Sequence, residues 1–291
     1  MPILINILLI QGEKIMTELM KPFMKNVNEG SVDAFEAINM LAPKNAGAHN
    51  AFYRGKDLTE YFNSGDMSTA IANGTFDDIF PGDYITKSVT INGTAYSNVK
   101  WYIGDCDYYY NFGDTACTKH HVLIFPEKCL GTAQMNSSNV TTGGYVGSAM
   151  WTSVIPKYVT GIQNAFGSTH ILSHRELLTK TLNANGSSTG YSPYTGITSD
   201  WAWYDVTANL FNESMVYGTG VFESSGFEHG SCYSQIAAFK HNRSLTVDRA
   251  NHTWLRTVVS GTYFAFVGYL GYADGSGASG AAGVRPYSLL T

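Results

Sequence analysis

The strongest local constraint in this chain is the dipeptide Asn92-Gly93. Both residues tolerate positive φ, which a tight two-residue hairpin turn requires. Before it, Gly82-Asp83-Tyr84-Ile85-Thr86 leads into a strand over Ser88–Ile91; after it, Ala95–Tyr102 alternates and returns. Val122-Leu123-Ile124-Phe125 is a short continuous apolar run, which predicts a buried strand ended by Pro126. Further strands are expected over Ser234–Phe239, Thr253–Val259, Tyr263–Val267 and Gly283–Leu289, and Trp201–Tyr204 reads as strand or packed loop. Helical spacing is rarer. Val32, Phe35, Ile38 and Leu41 recur every three residues behind a capping Ser31, with Pro43 as the stop. Met150, Val154, Tyr158 and Ile162 predict a helix over Gly147–Phe166, broken or kinked at Pro156. Glu176–Leu182 reads as a short helix, and Ala46–Gly55 and Asn183–Ser199 as loops. With no repeat and no convincing linker, the sum is one mixed α+β domain behind a small helical segment.

Composition excludes several classes. Charged residues are only 14% of the 291, against about 25% in a typical soluble domain. Gly (30), Tyr (19) and many Ser, Thr and Asn fill the gap. A disordered chain needs charge and few aromatics, and a coiled coil needs Ala, Glu, Lys, Leu and Arg to dominate. A net charge of −5 argues against nucleic-acid binding. No stretch reaches the roughly 18 apolar residues that span a bilayer, so no membrane insertion is expected. Residues 1–15 read as a mis-called leader: Gln11-Gly12-Glu13-Lys14 can be encoded like a ribosome-binding site, with Met16 as the true start. Residues 16–45 then form the helical segment and 46–291 the main domain. Cys106, Cys117, Cys129 and Cys232 are expected as free thiols.

No catalytic, metal or cofactor site emerges. Cys117, His120, His121 and Cys129 match no zinc spacing. Asp105, Asp107 and Asp114 flank Tyr108-Tyr109-Tyr110, which places Tyr where a calcium loop needs its third oxygen ligand and its Gly. Ser173 and His174 lack the strand–turn–helix setting of a nucleophile. No Gly-rich phosphate loop is present.

The C-terminal segment differs from the rest. Thr257–Thr291 contains no Lys, Glu, Gln, Met or Trp, although forty of these occur in the chain. Codons of the form N-N-C cannot encode these five residues, so a segment diversified by randomising the first two bases of AAC codons would show this absence. A bland alternative is a Gly/Ala-rich loop between two strands.

Trp254-Leu255-Arg256, Tyr263-Phe264-Ala265 and Gly283-Val284-Arg285-Pro286 resemble the C-terminal end of a family of bacteriophage and prophage virion proteins from gut Firmicutes. Some members are similar to the variable proteins of diversity-generating retroelements. The resemblance continues upstream in Thr75–Tyr84, Asn111–Thr118, Ala133–Asn136, Gly143–Met150 and Leu172–Arg175, covering roughly Asn50 to the C-terminus. It implies a C-type-lectin-like (formylglycine-generating-enzyme-like) fold, with short antiparallel strands, two or three helices and long loops. Its variable-type ligand face would lie at 263–283. The displayed positions would be Phe266, Gly268, Tyr269, Leu270, Tyr272, Asp274, Gly275, Ser276, Gly277, Gly280, Ala281 and Ala282. Framework positions would be Val267, Gly271, Ala273, Ala278, Ser279 and Gly283–Pro286. Trp254 is expected as a core anchor, and the Arg285 fork as a tie to backbone carbonyls. No calcium-lectin triplet (Glu-Pro-Asn, Gln-Pro-Asp or Trp-Asn-Asp) is present, and only Cys232 lies in the second half, which argues against an oxidase with paired late cysteines. The expectation is a virion protein, made in the bacterial cytoplasm, that binds a bacterial surface protein or glycan. Its other partners would be virion proteins or copies of itself. The alternatives are a structural head or tail component, or a glycan-cleaving enzyme with paired carboxylates.

Overall fold

The computed structural model describes residues 43–182, 201–222 and 234–291, with Asn39 and Leu41. The chain divides into two units, 1–43 and 44–291, and the elements below belong to the second. The proposed start at Met16, most of the Ser31–Leu41 helix, the Asn183–Ser199 loop and Cys232 lie outside the described residues.

The Asn92-Gly93 turn forms, with φ of 49° and 82°. It joins β1 (Tyr84–Ile91) to β2 (Thr94–Cys106), paired Ile91 to Thr94 through Tyr84 to Tyr102. β3 (Val122–Pro126) is buried at every position, as its unbroken apolar run predicts. Three short helices precede β1: α1 (Ala46–His49), α2 (Thr59–Ser64) and α3 (Asp66–Ala72). α1 replaces part of the loop expected at Ala46–Gly55. The Asn45 side chain caps it by accepting from the Ala48 N–H at 3.0 Å.

The helix expected over Gly147–Phe166 forms in two registers and starts later, with Gly147 in a turn and Ser148 in a bend ahead of it. A π-helical turn, Met150–Val154, runs into α4 (Ile155–Phe166). Pro156 sits in the first turn of α4 and, lacking an N–H, cannot donate back into the π-helical turn that precedes it. The Ile155 N–H reaches back five residues to the Met150 carbonyl. The expected break at Pro156 is therefore a change of helical pitch without interruption.

Two expected elements change type. Glu176–Leu182 is not a helix: β6 (His174–Thr179) pairs antiparallel with β7 (Trp201–Val206), from His174–Val206 to Thr179–Trp201. Glu, Leu and Leu favour helix intrinsically, but here tertiary pairing overrides them. Ser234–Phe239 is not a strand: α6 (Ala237–His241) begins there, with the Ala237 N–H donated to Asp105 Oδ2 at 2.9 Å. That partner lies 132 residues away in sequence.

The remaining elements are β4 (Thr132–Gln134), β5 (Ile171–Leu172), β8 (Ala208–Leu210), α5 (Glu213–Tyr217) and a 3-10 turn, Arg243–Thr246. They are followed by β9 (Thr253–Val258), β10 (Tyr263–Val267), β11 (Ala273–Gly277), β12 (Ala281–Gly283) and β13 (Pro286–Leu290). The strand expected over Gly283–Leu289 thus divides between β12 and β13, in different sheets. The first sheet runs β1-β2-β3-β13-β5, with β8 also on β13; the second runs β11-β10-β9-β12-β4. The unit is mixed α+β, mostly strand, with few helices. No described helix is long and apolar enough to cross a membrane.

Strand alternation distributes side chains between two buried clusters. Val122, Ile124, Trp254, Phe264 and Phe266 enter one. Their neighbours Leu123, Phe125, Leu255, Ala265 and Val267 enter the other. β3, β9 and β10 are walls with apolar material on both faces, which is why β3 reads as a continuous apolar run.

Candidate functional site

β10 and β11 form a hairpin paired Tyr263–Gly277 through Val267–Ala273. At its tip, the Gly271 N–H donates to the Gly268 carbonyl at 2.7 Å and the Gly268 N–H to the Tyr272 carbonyl at 2.8 Å. Gly271 has φ +88°, the left-handed residue that closes a three-residue hairpin loop. Tyr269 and Leu270 are left at the apex, 45% and 62% exposed, with Tyr272 at 41%. An apex with three large apolar side chains in the open is unusual on a protein surface.

Below the apex lies an aromatic floor. The His252 ring is 4.6 Å from Phe266 and 5.3 Å from Tyr269, and Tyr269 meets Tyr272 edge-on at 6.1 Å. Phe266 is buried and meets the Trp254 ring edge-on, with centroids 6.4 Å apart. Trp254 is a core anchor as expected, its indole N–H donated to the Ala133 carbonyl at 2.9 Å. His252 belongs to this face and was not anticipated. Nothing in Asn251-His252-Thr253 marks it, because its neighbours come from a hairpin more than a dozen residues downstream.

The twelve positions expected on display divide three ways. Tyr269, Leu270, Tyr272, Asp274 and Ala281 are exposed, and Gly275, Ser276, Gly277 and Gly280 are half-buried. Phe266, Gly268 and Ala282 are buried, which corrects their expected display. Phe266 and Ala282 point into the core cluster. Gly268 lies under the Tyr272 ring, and a Cβ there would overlap the ring carbons. The expected framework residues have structural partners. Ala278 is fully buried, and Ser279 donates its N–H and hydroxyl to Asn139 Oδ1 at 2.9 and 2.8 Å. Gly283 is packed so closely on Cys129 that no side chain fits. Arg285 donates to the Pro126 carbonyl at 2.8 Å and the Leu245 carbonyl at 2.7 Å, the fork expected of it.

The sequence's other chemical candidates disperse. His121 uses both ring nitrogens on backbone: Nδ1 lies 2.9 Å from the Lys119 carbonyl, and Nε2 accepts from the Tyr109 N–H at 3.0 Å. Burial pushes its imidazole down to about 4. His120 pairs with Asp107 at 2.7 Å, and Cys129 stands apart beside Thr253 and Asp248. Among the described residues no three His, Cys, Asp or Glu side chains are grouped to hold a metal. Asp114 pairs with Arg175, and Asp105 binds Asn50 and α6. The three aspartates thus serve three separate places. Ser173 is exposed while His174 is buried, so the two point apart. His174 Nε2 instead meets Glu176 Oε1 at 2.8 Å. Glu176 is fully buried, and Arg256, Tyr287 and Asn209 also bond it.

No family model, no curated protein and no solved structure matches this chain.

Proposed function

We propose that this chain is a ligand-binding protein of a bacteriophage virion. Its β10–β11 hairpin, with Ala281 at the start of β12, would be the face that meets a bacterial surface ligand. One observation carries the reading. The hairpin exposes Tyr269, Leu270 and Tyr272 together over the Phe266–His252 floor, while Gly271, Ala278 and Gly283 around them are fixed by backbone conformation and close packing. A face selected among variants needs changeable side chains on an unchanging backbone. Exposed aromatics supply contact area at low entropic cost and cluster as hot spots. Weak single sites are compensated by many copies on a particle.

The virion setting and the C-type-lectin-like form of the α+β fold rest on the ordered sequence resemblance. The matching motifs perform framework tasks here. Asn136, for example, accepts from the Ala149 N–H at 2.8 Å ahead of the π-helical turn. We assign the chain no catalysis, since Glu176 is buried together with its two partners, His174 and Arg256.

Sequencing the 3′ end of the gene across its source population tests the reading. N-N-C codon variation is expected at Tyr269, Leu270, Tyr272, Asp274 and Ala281, with Gly271, Ala278 and Gly283 constant. An invariant segment, or variation that reaches Gly283–Pro286, removes diversification and leaves a fixed structural component of the virion. In parallel, Tyr269→Ser/Leu270→Ser should abolish binding of the purified chain to host cells; undiminished binding rejects the hairpin as the face.

A further inference from the structure

The exposed face continues behind Tyr272 into a groove of about 420 Å³ between the hairpin, α5 and the α6–3-10 segment. That volume lies within the range of small-ligand sites. Tyr217, Gln235, Lys240, Arg243, Thr246 and Tyr272 line it, and no acidic residue does among the described residues. Lys240 and Arg243 are exposed, and neither pairs with a carboxylate among the described residues. The Tyr217 hydroxyl is buried with no hydrogen-bond partner among the described residues. The Thr246 hydroxyl donates to the Arg243 carbonyl at 2.8 Å, which leaves its lone pairs to accept.

We propose that this groove binds an acidic saccharide unit, its anionic group on Lys240 and Arg243 and its ring against Tyr272. The inference rests on the hairpin being the ligand face, and it names the class of ligand. Two cations without a carboxylate partner, in a groove with no acidic lining among the described residues, favour an anion. Hydroxyl and amide side chains beside an aromatic ring suit a ring bearing several hydroxyls. An extended peptide would instead call for a row of free backbone donors.

Titration calorimetry of the full chain decides the matter, with digalacturonic acid as a carboxylate probe, glucose 6-phosphate as a phosphate probe and neutral galactobiose as control. At least one anion should bind, about tenfold or more tighter than the neutral sugar, and weaken with salt. Lys240→Ala/Arg243→Ala should reduce that affinity about tenfold or more at an unchanged melting temperature. Equal binding of acidic and neutral sugars, binding of neither anion, or full affinity in the double variant overturns the proposal. The parent reading fails separately. If Tyr269→Ser/Leu270→Ser abolishes host-cell binding and Lys240→Ala/Arg243→Ala does not, the face stands and the groove is rejected. If the cation variant abolishes anion binding and the hairpin variant leaves cell binding intact, the groove stands and the face is rejected.

Discussion

At the scale of single residues, the buried ionisable groups set the pH behaviour. Burial alone would push the Glu176 carboxyl up, but Arg256, His174 and Tyr287 outweigh it and hold it down at about 2. Glu176→Gln leaves the Arg256 guanidinium buried without its counter-charge, and a loss of about 3–5 kcal/mol is expected by urea unfolding. A loss under about 1 kcal/mol would show that the pair is not holding the core. Asp105 and His121 act on the same pH window with opposite sign. Burial raises the Asp105 carboxyl from 3.8 to about 7. Between those values the folded protein keeps a proton that the unfolded chain has released, so stability falls as pH rises. Burial lowers the His121 imidazole from 6.5 to about 4. Between those values the unfolded chain binds a proton that the folded protein refuses, so stability rises with pH. The two slopes largely cancel from about pH 4 to 6.5 in the unaltered protein. Asp105→Asn removes one of them, and its stability should climb by about 3 kcal/mol across that window. Urea midpoints that stay flat in the variant would contradict the assignment. None of these roles is legible in the sequence, whereas the Arg285 fork and the Trp254 anchor are, because side-chain chemistry and size suffice for them. Glu176 and Arg256 are 80 positions apart, and no spacing rule links them.

At the scale of elements, the β10–β11 hairpin separates positions that can change from those that cannot. Gly271→Ala places a Cβ at φ +88° and should cost about 1–2 kcal/mol. Tyr269→Ser/Leu270→Ser, at the exposed apex, should stay within about 0.5 kcal/mol. Thermal unfolding of the three chains measures both, and equal losses would remove the distinction. Gly268→Ala and Tyr272→Ser should be non-additive by at least about 0.5 kcal/mol in a double-mutant cycle, because the Tyr272 ring occupies the space of the missing Cβ. Additive effects would mean the ring moves aside freely. The elements legible in sequence share one property: local chemistry specifies them. Asn92-Gly93 makes its own turn, and Val122–Phe125 is apolar enough to be buried wherever it lands. β6 and α6 differ from the types their local sequence favours because those types depend on distant partners, β7 for the first and the Asp105 carboxyl for the second.

At the scale of the whole molecule, β13 joins the parts. It pairs with β3 on one side and with β5 and β8 on the other, although it lies at the far end of the described chain. Tyr287 and Leu289 enter one core cluster and Leu290 the other. Backbone amides of β3 and β13 should therefore exchange slowest, opening only with global unfolding, while those of Tyr269 and Leu270 exchange fastest. Native-state hydrogen exchange reads this directly, and early opening of β13 would contradict its central place. The sequence by itself determined the α+β class, the first hairpin, the buried β3 run, the β9 and β10 strands, and which part of the C-terminal segment departs from the rest. These follow from side-chain period, turn chemistry and residue usage, all properties of neighbours along the chain. Only the tertiary structure decided which of the twelve positions expected on display reach solvent, that His252 packs against the hairpin aromatics, and that Lys240 and Arg243 line a groove with Tyr272. Those depend on which distant segments meet, and burial and electrostatic pairing across the fold set that, not any spacing within it.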